Sequence, residues 1–474
     1  MLIRNAEIHG VGPGDLRIAH GRIAAIGALA PVSGETVIDA HGGALLPGLH
    51  DHHIHLAALA VRDASVACGP PEVADREALR VALDRPGQGW LRGIGYHESV
   101  LGALPDAAAL DELVACRPVR IQHRSGRMWL LNSRALAELL ALAPPPPGLE
   151  RDAAGFTGRL FDEDEWLAAT LGGRFPDLSR VSRELAACGI TGITDMSPAN
   201  DPETVRHFIA QRCSGALAQR CVIAGTLALN DAEPGPWALG PAKLHLHEAA
   251  LPDFDEACAF IAAAHAQGRG VAVHCVSEVE LVFALAAFEA AGTRPGDRIE
   301  HASVTPQPLV ARIADLGLHV CVQPHFVAER GERYLLDVEP RHHRDLYRLQ
   351  SLADAGIVLA GGSDAPFGSA DPWAAMRAAV SRQTDGGRTI AAGESLSPEA
   401  ALALHLADPL DLARERRIAV GEPADLCLLS RPWREARERL FGSDVAMTLV
   451  EGAIVHERID EPPFKRLARS EPAA

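Results

Sequence analysis

Apolar positions along this chain fall into two regimes. At both ends they occur in short alternating runs broken by glycine, the pattern of strands that bury one face. These runs lie at 2–8, 16–19, 22–26 and 36–38, and again at 424–429, 445–450 and 453–455. Between the ends, β-rich apolar runs alternate with Ala/Leu/Glu/Arg stretches of helical character, such as 254–267 ahead of 271–274 and 306–316 ahead of 320–322. That alternation predicts a parallel sheet with helical crossovers. Eight barrel strands are placed at 43–55, 119–123, 190–196, 242–247, 271–275, 298–301, 319–323 and 357–364, with 90–96 and 221–227 as spare candidates. The expected class is α/β: a (β/α)8 TIM barrel over 47–414, a small composite β-sandwich domain formed by both chain ends (1–46 and 415–460), and a C-terminal tail at 461–474. The Pro144–Pro147 run is read as a loop bulging from the barrel, since proline sustains neither element there.

Composition narrows the function. Over 474 residues, 47% are hydrophobic and 23% charged, enough to bury a large core and unlike a disordered chain. Acidic residues outnumber basic ones 62 to 45, and the net charge of -17 would repel a polyphosphate backbone, so nucleic acid is not an expected partner. No basic segment leads into a long apolar one, and the apolar runs are short or carry charges, so neither a signal peptide nor a membrane span is expected. Nine cysteines without a CxxC pair fit a reducing, cytoplasmic setting in which they pack as small apolar residues. The expected partner is a small-molecule substrate; homo-oligomerisation is left open.

The chemistry concentrates at predicted strand ends. In Pro47-Gly48-Leu49-His50-Asp51-His52-His53-Ile54-His55, strand alternation puts Asp51, His53 and His55 on one face. Two imidazoles at i, i+2 suit a divalent metal, though with 21 histidines in the chain one pair proves little. Four later strand ends add to it. In Ala242-Lys243-Leu244-His245-Leu246-His247, alternation sends Lys243, His245 and His247 to one side, and a lysine inside a strand is costly unless used. His274, His301 and Asp364 each close a further strand, and in a parallel barrel such ends share one rim. Taken singly, the plainer readings are an ion pair for Lys243 and a hydrogen-bonded core histidine for His301. Five aligned strand ends argue against all of them at once. Arg124 and Arg127, after another strand-like run, are candidates to clamp a substrate carboxylate or are solvated loop arginines. His123, His245, His247, Gln323 and His325 are candidates for orienting or substrate-binding roles. Asp51 either orients a ligand histidine or caps the turn.

This ordered set resembles the amidohydrolase superfamily, with HxH on the first strand, lysine on the fourth, histidines on the fifth and sixth and aspartate on the eighth. Within it the chain is similar to the amidohydrolase 3 (YtcJ-like) group. The further matches are Val37-Ile38-Asp39-Ala40, Ser125-Gly126 leading to Asn132-Ser133-Arg134-Ala135-Leu136, Gly189-Ile190-Thr191, Gln323-Pro324-His325, Ser363-Asp364-Ala365-Pro366 and Pro423-Ala424-Asp425-Leu426. The resemblance implies metal ligands His53, His55, Lys243, His274, His301 and Asp364, one or two divalent ions with zinc expected, and hydrolysis of a carbon-nitrogen bond in an amide or cyclic amide. In its two-metal form Lys243 is carboxylated and bridges the ions, and Asp364 is the catalytic proton carrier. Metal binding lowers the pKa of water from 15.7 to roughly 7. In the alternative form His53, His55, His274 and Asp364 hold a single ion, as in deaminase-like relatives. A catalytically silent binding protein is the reading from another class, and decarboxylation is a further reaction that ligand identity alone leaves open. The chain departs from many relatives at Arg127, where they have histidine, at His247-Glu248, where they have Asp-Gly, and at Cys275-Val276-Ser277-Glu278, where they have Ala-x-Gly-Asp. Those departures surround the ligands and put the substrate in question.

Overall fold

The computed structural model describes residues 1–458 apart from Pro71, Gly126, Ala154 and Arg174. Gly126 of the Ser125-Gly126 motif, the end of the composite domain at 459–460 and the 461–474 tail lie outside the described residues. The chain divides into two compact units, one made of Met1–Leu56 with Asp177–Ala474, the other of Ala57–Pro176.

In the first unit, eight parallel strands follow one another around a barrel: Leu49–Ile54, Ile190–Asp195, Arg220–Gly225, Trp237–His245, Val271–Cys275, Arg298–His301, His319–Val322 and Leu359–Gly361. The ends meet where the Asp364 amide donates to the His53 carbonyl (2.6 Å) and the Ser363 amide to Asp51 Oδ1 (2.9 Å). Helices such as Phe254–Ala266 and Glu278–Ala291 intervene between successive strands. Their starts are capped by Asp253 and by a Ser277/Glu280 capping box, which satisfy amide groups left open at a helix N-terminus.

Two strand assignments are corrected. Val119–His123 is not in the barrel; its place is taken by the spare candidate, Arg220–Gly225. The physical difference is burial. Cys221–Ile223 and Ala224 are buried on both faces, as a barrel strand requires, whereas Val119–His123 alternates apolar with polar positions. The run at 43–55 is also divided at Gly48: Ala44–Pro47 belongs to another sheet and Leu49–Ile54 to the barrel. A Cβ on Gly48 would fall 2.2 Å from Thr191 Cγ2, so only glycine lets the chain pass from one sheet to the other here.

That other sheet joins the two chain ends. It runs Ala453–Glu457, Val445–Val450, Leu426–Leu429, Ala44–Pro47, Leu2–Ile8, Gly12–Ala19 and Arg22–Gly27, with Val37–Asp39 paired to Leu2–Ile8. Ile3, Ile8, Leu16, Ile38, Leu45, Leu426 and Met447 share one core beneath it.

The second unit carries a six-stranded sheet in the order Leu149–Arg151, Phe156–Phe161, Met128–Leu131, Val119–His123, Leu91–Tyr96, Val66–Ala67. Tyr96, Val119, Ile121 and Leu130 form part of its core, and the proline run lies in the loop ahead of Leu149–Arg151. No helix among the described residues is long and apolar enough to cross a membrane. All nine cysteines are free thiols.

Candidate metal centre

The ends of the first, fourth, fifth, sixth and eighth barrel strands bring His53, His55, Lys243, His274, His301 and Asp364 together. His53 Nε2 lies 3.4 Å and His55 Nε2 3.1 Å from the same oxygen, Asp364 Oδ1. One ligand atom each from His53, His301 and Asp364 falls within 4.8 Å of the others. The His53 and His301 ring centres are 4.8 Å apart, those of His274 and His301 4.5 Å. Tetrahedral bonds of about 2.0–2.1 Å separate ligand atoms by about 3.4 Å, so this spacing suits zinc or a similar ion.

The protonation states suit it too. Burial holds His274 down to about 3 and His53 and His301 well below the usual imidazole range, so all three are neutral, the form that ligates. Hydrogen bonds set which nitrogen faces the centre. His53 Nδ1 donates to Glu300 Oε2 (2.5 Å), and His301 Nδ1 donates to Gln323 Oε1 (2.8 Å), which leaves both Nε2 lone pairs for a cation. His55 Nδ1 is engaged by Ser197 Oγ (3.1 Å).

Two of the candidate ligand atoms have no partner. Lys243 Nζ and His301 Nε2 are buried with no hydrogen-bond partner. Burial pulls the Lys243 amine below its usual range, although Glu300 opposes this. A neutral amine is the species that takes up CO2, and an ammonium would be buried here without a hydrogen-bond acceptor. The donor set therefore fits one or two divalent ions.

Glu300 and Arg298 were not singled out in the sequence. Both are buried, and Arg298 Nε donates to Glu300 Oε1 (2.5 Å) while Nη2 reaches the His52 carbonyl (3.2 Å). Burial alone would raise the Glu300 carboxyl, but the guanidinium of Arg298 outweighs it and holds it below the usual range. The signal was present: opposite charges at i, i+2 in a strand share a face, and Arg298-Ile299-Glu300-His301 is buried throughout. Strict alternation would send Glu300 and His301 to opposite faces. His301 escapes it with φ +72°, a left-handed backbone that swings its ring back to the centre, and Asp364 has φ +51°. Cys321 also approaches His53 and Glu300, but burial raises its thiol well above the usual range, so it stays protonated.

The remaining candidates sort by contact. Asp51 Oδ1 accepts from the His53 and Ser363 amides and so ties the first strand to the Asp364 segment. Gln323 orients His301. His325 Nε2 donates to the Ser363 carbonyl (2.9 Å), beside Asp364. The His245 ring centre lies 4.4 Å from that of His274, the two planes tilted by 40°. In the second unit, His123 bonds Ser125 Oγ and Glu98 Oε2, Arg124 is exposed, and Arg127 is held by both oxygens of Asp162 (2.8 and 2.6 Å). Two of the departures near the ligands meet through Glu280: Ser277 and Glu280 cap a helix, and Glu280 Oε1 accepts the Glu248 amide (2.8 Å).

The family described as the Amidohydrolase family matches residues 36–456. An N-substituted formamide deformylase of Arthrobacter pascens is 26% identical over 93% of this chain and 94% of its own length. The putative amidohydrolase YtcJ of Bacillus subtilis is 26% identical over 89% and 90%. Among solved structures, an uncharacterized metal-dependent hydrolase from Pyrococcus furiosus superposes with a TM-score of 0.74 at 22% identity, covering 91% of this chain and 98% of that one.

Proposed function

The chain belongs to the amidohydrolase family, and on that premise we propose that it is a metal-dependent hydrolase that cleaves a carbon-nitrogen bond, other than a peptide bond, in a small amide or cyclic amide. The observation that carries this reading is the pair of buried, partnerless atoms, Lys243 Nζ and His301 Nε2, beside the clustered neutral imidazoles of His53, His274 and His301. His53, His55 and Asp364 would hold one ion, His274 and His301 a second, and a carboxylated Lys243 both. A bound divalent ion supplies an acidified water at neutral pH and polarises the carbonyl.

The chain's own groups do the rest. Glu300 and Gln323 fix the ligating nitrogens of His53 and His301. Asp364 takes the attacking water's proton on its carboxylate and passes it to the leaving nitrogen. Glu300, locked to Arg298, stays ionised and holds the His53 ring in place. The formamide deformylase similarity makes N-substituted formamides the first substrates to try. The test is a panel of N-substituted formamides, secondary amides and cyclic amides, assayed for amine or acid release after metal loading. Turnover lost in Asp364→Asn supports the reading; release of ammonia from an aminated ring with no amide turnover points to the deaminase-like alternative. No turnover of any class by metal-loaded protein contradicts it.

A further inference from the structure

At the opposite ends of the barrel strands from the metal centre lies a cavity of about 460 Å³, within the range of small-molecule sites. It is framed by the starts of the first four barrel strands, through Pro47, Thr191, Cys221 and Trp237, and by the segments around Leu410 and Pro423. None of the proposed ligands lines it.

Its walls divide into a flat apolar part and a cationic part. Trp237, Pro236, Pro409 and Leu410 supply the first, and Leu410 is 64% exposed. The cationic part contains five arginines. Three are matched by carboxylates: Arg220 with Asp425 (2.7 Å) and Glu451 (3.0 Å), Arg212 with Glu451 (3.5 Å), and Arg414 with Asp408. Arg416 and Arg417 are not; among the described residues no carboxylate lies within ion-pair distance of either guanidinium. Glu422, the remaining carboxylate of the lining, is exposed.

Arg416 is held in place by backbone carbonyls, with no carboxylate in direct contact. Its Nε donates to the Ala407 carbonyl (3.3 Å) and its Nη2 to the His405 carbonyl (2.9 Å), which leaves Nη1 open at the cavity wall. Burial pulls this guanidinium down to about 10, although Asp425 and Asp408 oppose the shift from beyond ion-pair distance. A half-buried guanidinium fixed by backbone carbonyls, with no carboxylate in direct contact and a flat apolar wall beside it, presents a donor face suited to an anionic group.

We propose that this cavity is a second binding site, for a small organic carboxylate with a flat apolar ring. The carboxylate would bridge Arg416 Nη1 and Arg417, since guanidinium donors match carboxylate geometry, and the ring would lie against Trp237 and the prolines. The first barrel strand links this site to the metal centre. His50, which lines the cavity with Nε2 bound to Thr194 Oγ1 (2.9 Å), is three residues from His53.

The experiment is calorimetric titration of the full chain with benzoate and with its uncharged counterpart benzyl alcohol. Benzoate is expected to bind at least about tenfold more tightly than the alcohol, and Arg416→Gln to weaken benzoate by at least about tenfold while leaving the alcohol unchanged. Arg417→Glu, at an exposed position that leaves the fold intact, is expected to weaken benzoate several-fold and decides the matter if the Arg416 variant does not fold. Asp364→Asn is expected to keep wild-type benzoate affinity. Absence of benzoate binding at millimolar concentration, equal binding of the alcohol, or benzoate binding that is lost in Asp364→Asn but kept in both arginine variants would overturn the proposal.

Discussion

Replacing Glu300 by glutamine removes one charge where Arg298 and His53 meet and leaves one of those two donors without an acceptor. The two carboxylate oxygens are divided: Oε1 accepts from Arg298 Nε and Oε2 from His53 Nδ1, each at 2.5 Å. Glutamine has one acceptor oxygen and an NH2 group, so it serves only one partner. With the amide nitrogen toward His53, Nδ1 must accept, the proton moves to Nε2, and the ligating lone pair is lost. With the nitrogen toward Arg298, two donors face each other in a fully buried site. Removing one member of a buried pair costs about 3–5 kcal/mol. Loss of a group that orients a ligand histidine weakens metal binding about 10–100-fold. Urea unfolding of chelator-treated protein reads the first quantity, and chelator competition the second. Arg298→Met combined with Glu300→Leu separates them: it recovers most of the stability, because no bare charge remains, but not the metal affinity. An unchanged unfolding midpoint and metal affinity within about twofold of wild type in Glu300→Gln would refute this account of the pair.

Three further outcomes are expected. Intact mass of the native protein falls by one CO2 on mild acid treatment, and Lys243→Met shows no such change and binds one ion fewer; an identical mass before and after acid removes the bridged centre. Asp364→Asn lowers kcat about 10²–10⁴-fold, as expected for a lost proton carrier, and a loss confined to KM would show that Asp364 only binds. The buried imidazole of His405, whose pKa burial lowers to about 4, contributes stability that is complete above its unfolded value of about 6.5 and is lost as pH falls through about 4. That window amounts to about 3 kcal/mol between pH 7 and pH 4, and His405→Gln should flatten the pH dependence of urea unfolding by that amount. An equally steep dependence in the variant would show that other groups carry it.

Much of this was legible in residue order, because strand ends of a parallel barrel share a rim and each ligand type recurs at one. His53, Lys243, His274, His301 and Asp364 could be gathered without coordinates for that reason. The barrel membership of Val119–His123 could not be judged from its apolar content alone, since a short strand in any sheet reads alike. Its alternation with Arg120 and Gln122, against the unbroken Cys221-Val222-Ile223-Ala224, was the usable sign. Glu300 was masked by its neighbour His301, because parity assigns the two to opposite faces. The left-handed backbone at His301 that reconciles them has no signature in a non-glycine residue. The cavity at Arg416 was illegible, since its walls come from chain segments more than 360 residues apart in sequence, from Pro47 to Arg417.

The measurement that tests the central claim most directly is the transition-metal content of the purified chain by elemental analysis, repeated for His301→Ala after identical metal loading. The account predicts one or two ions per chain in the wild type, fewer in the variant, and loss of hydrolysis with loss of metal. A chain that takes up no ion on reconstitution, or a variant that retains the full complement, would contradict it.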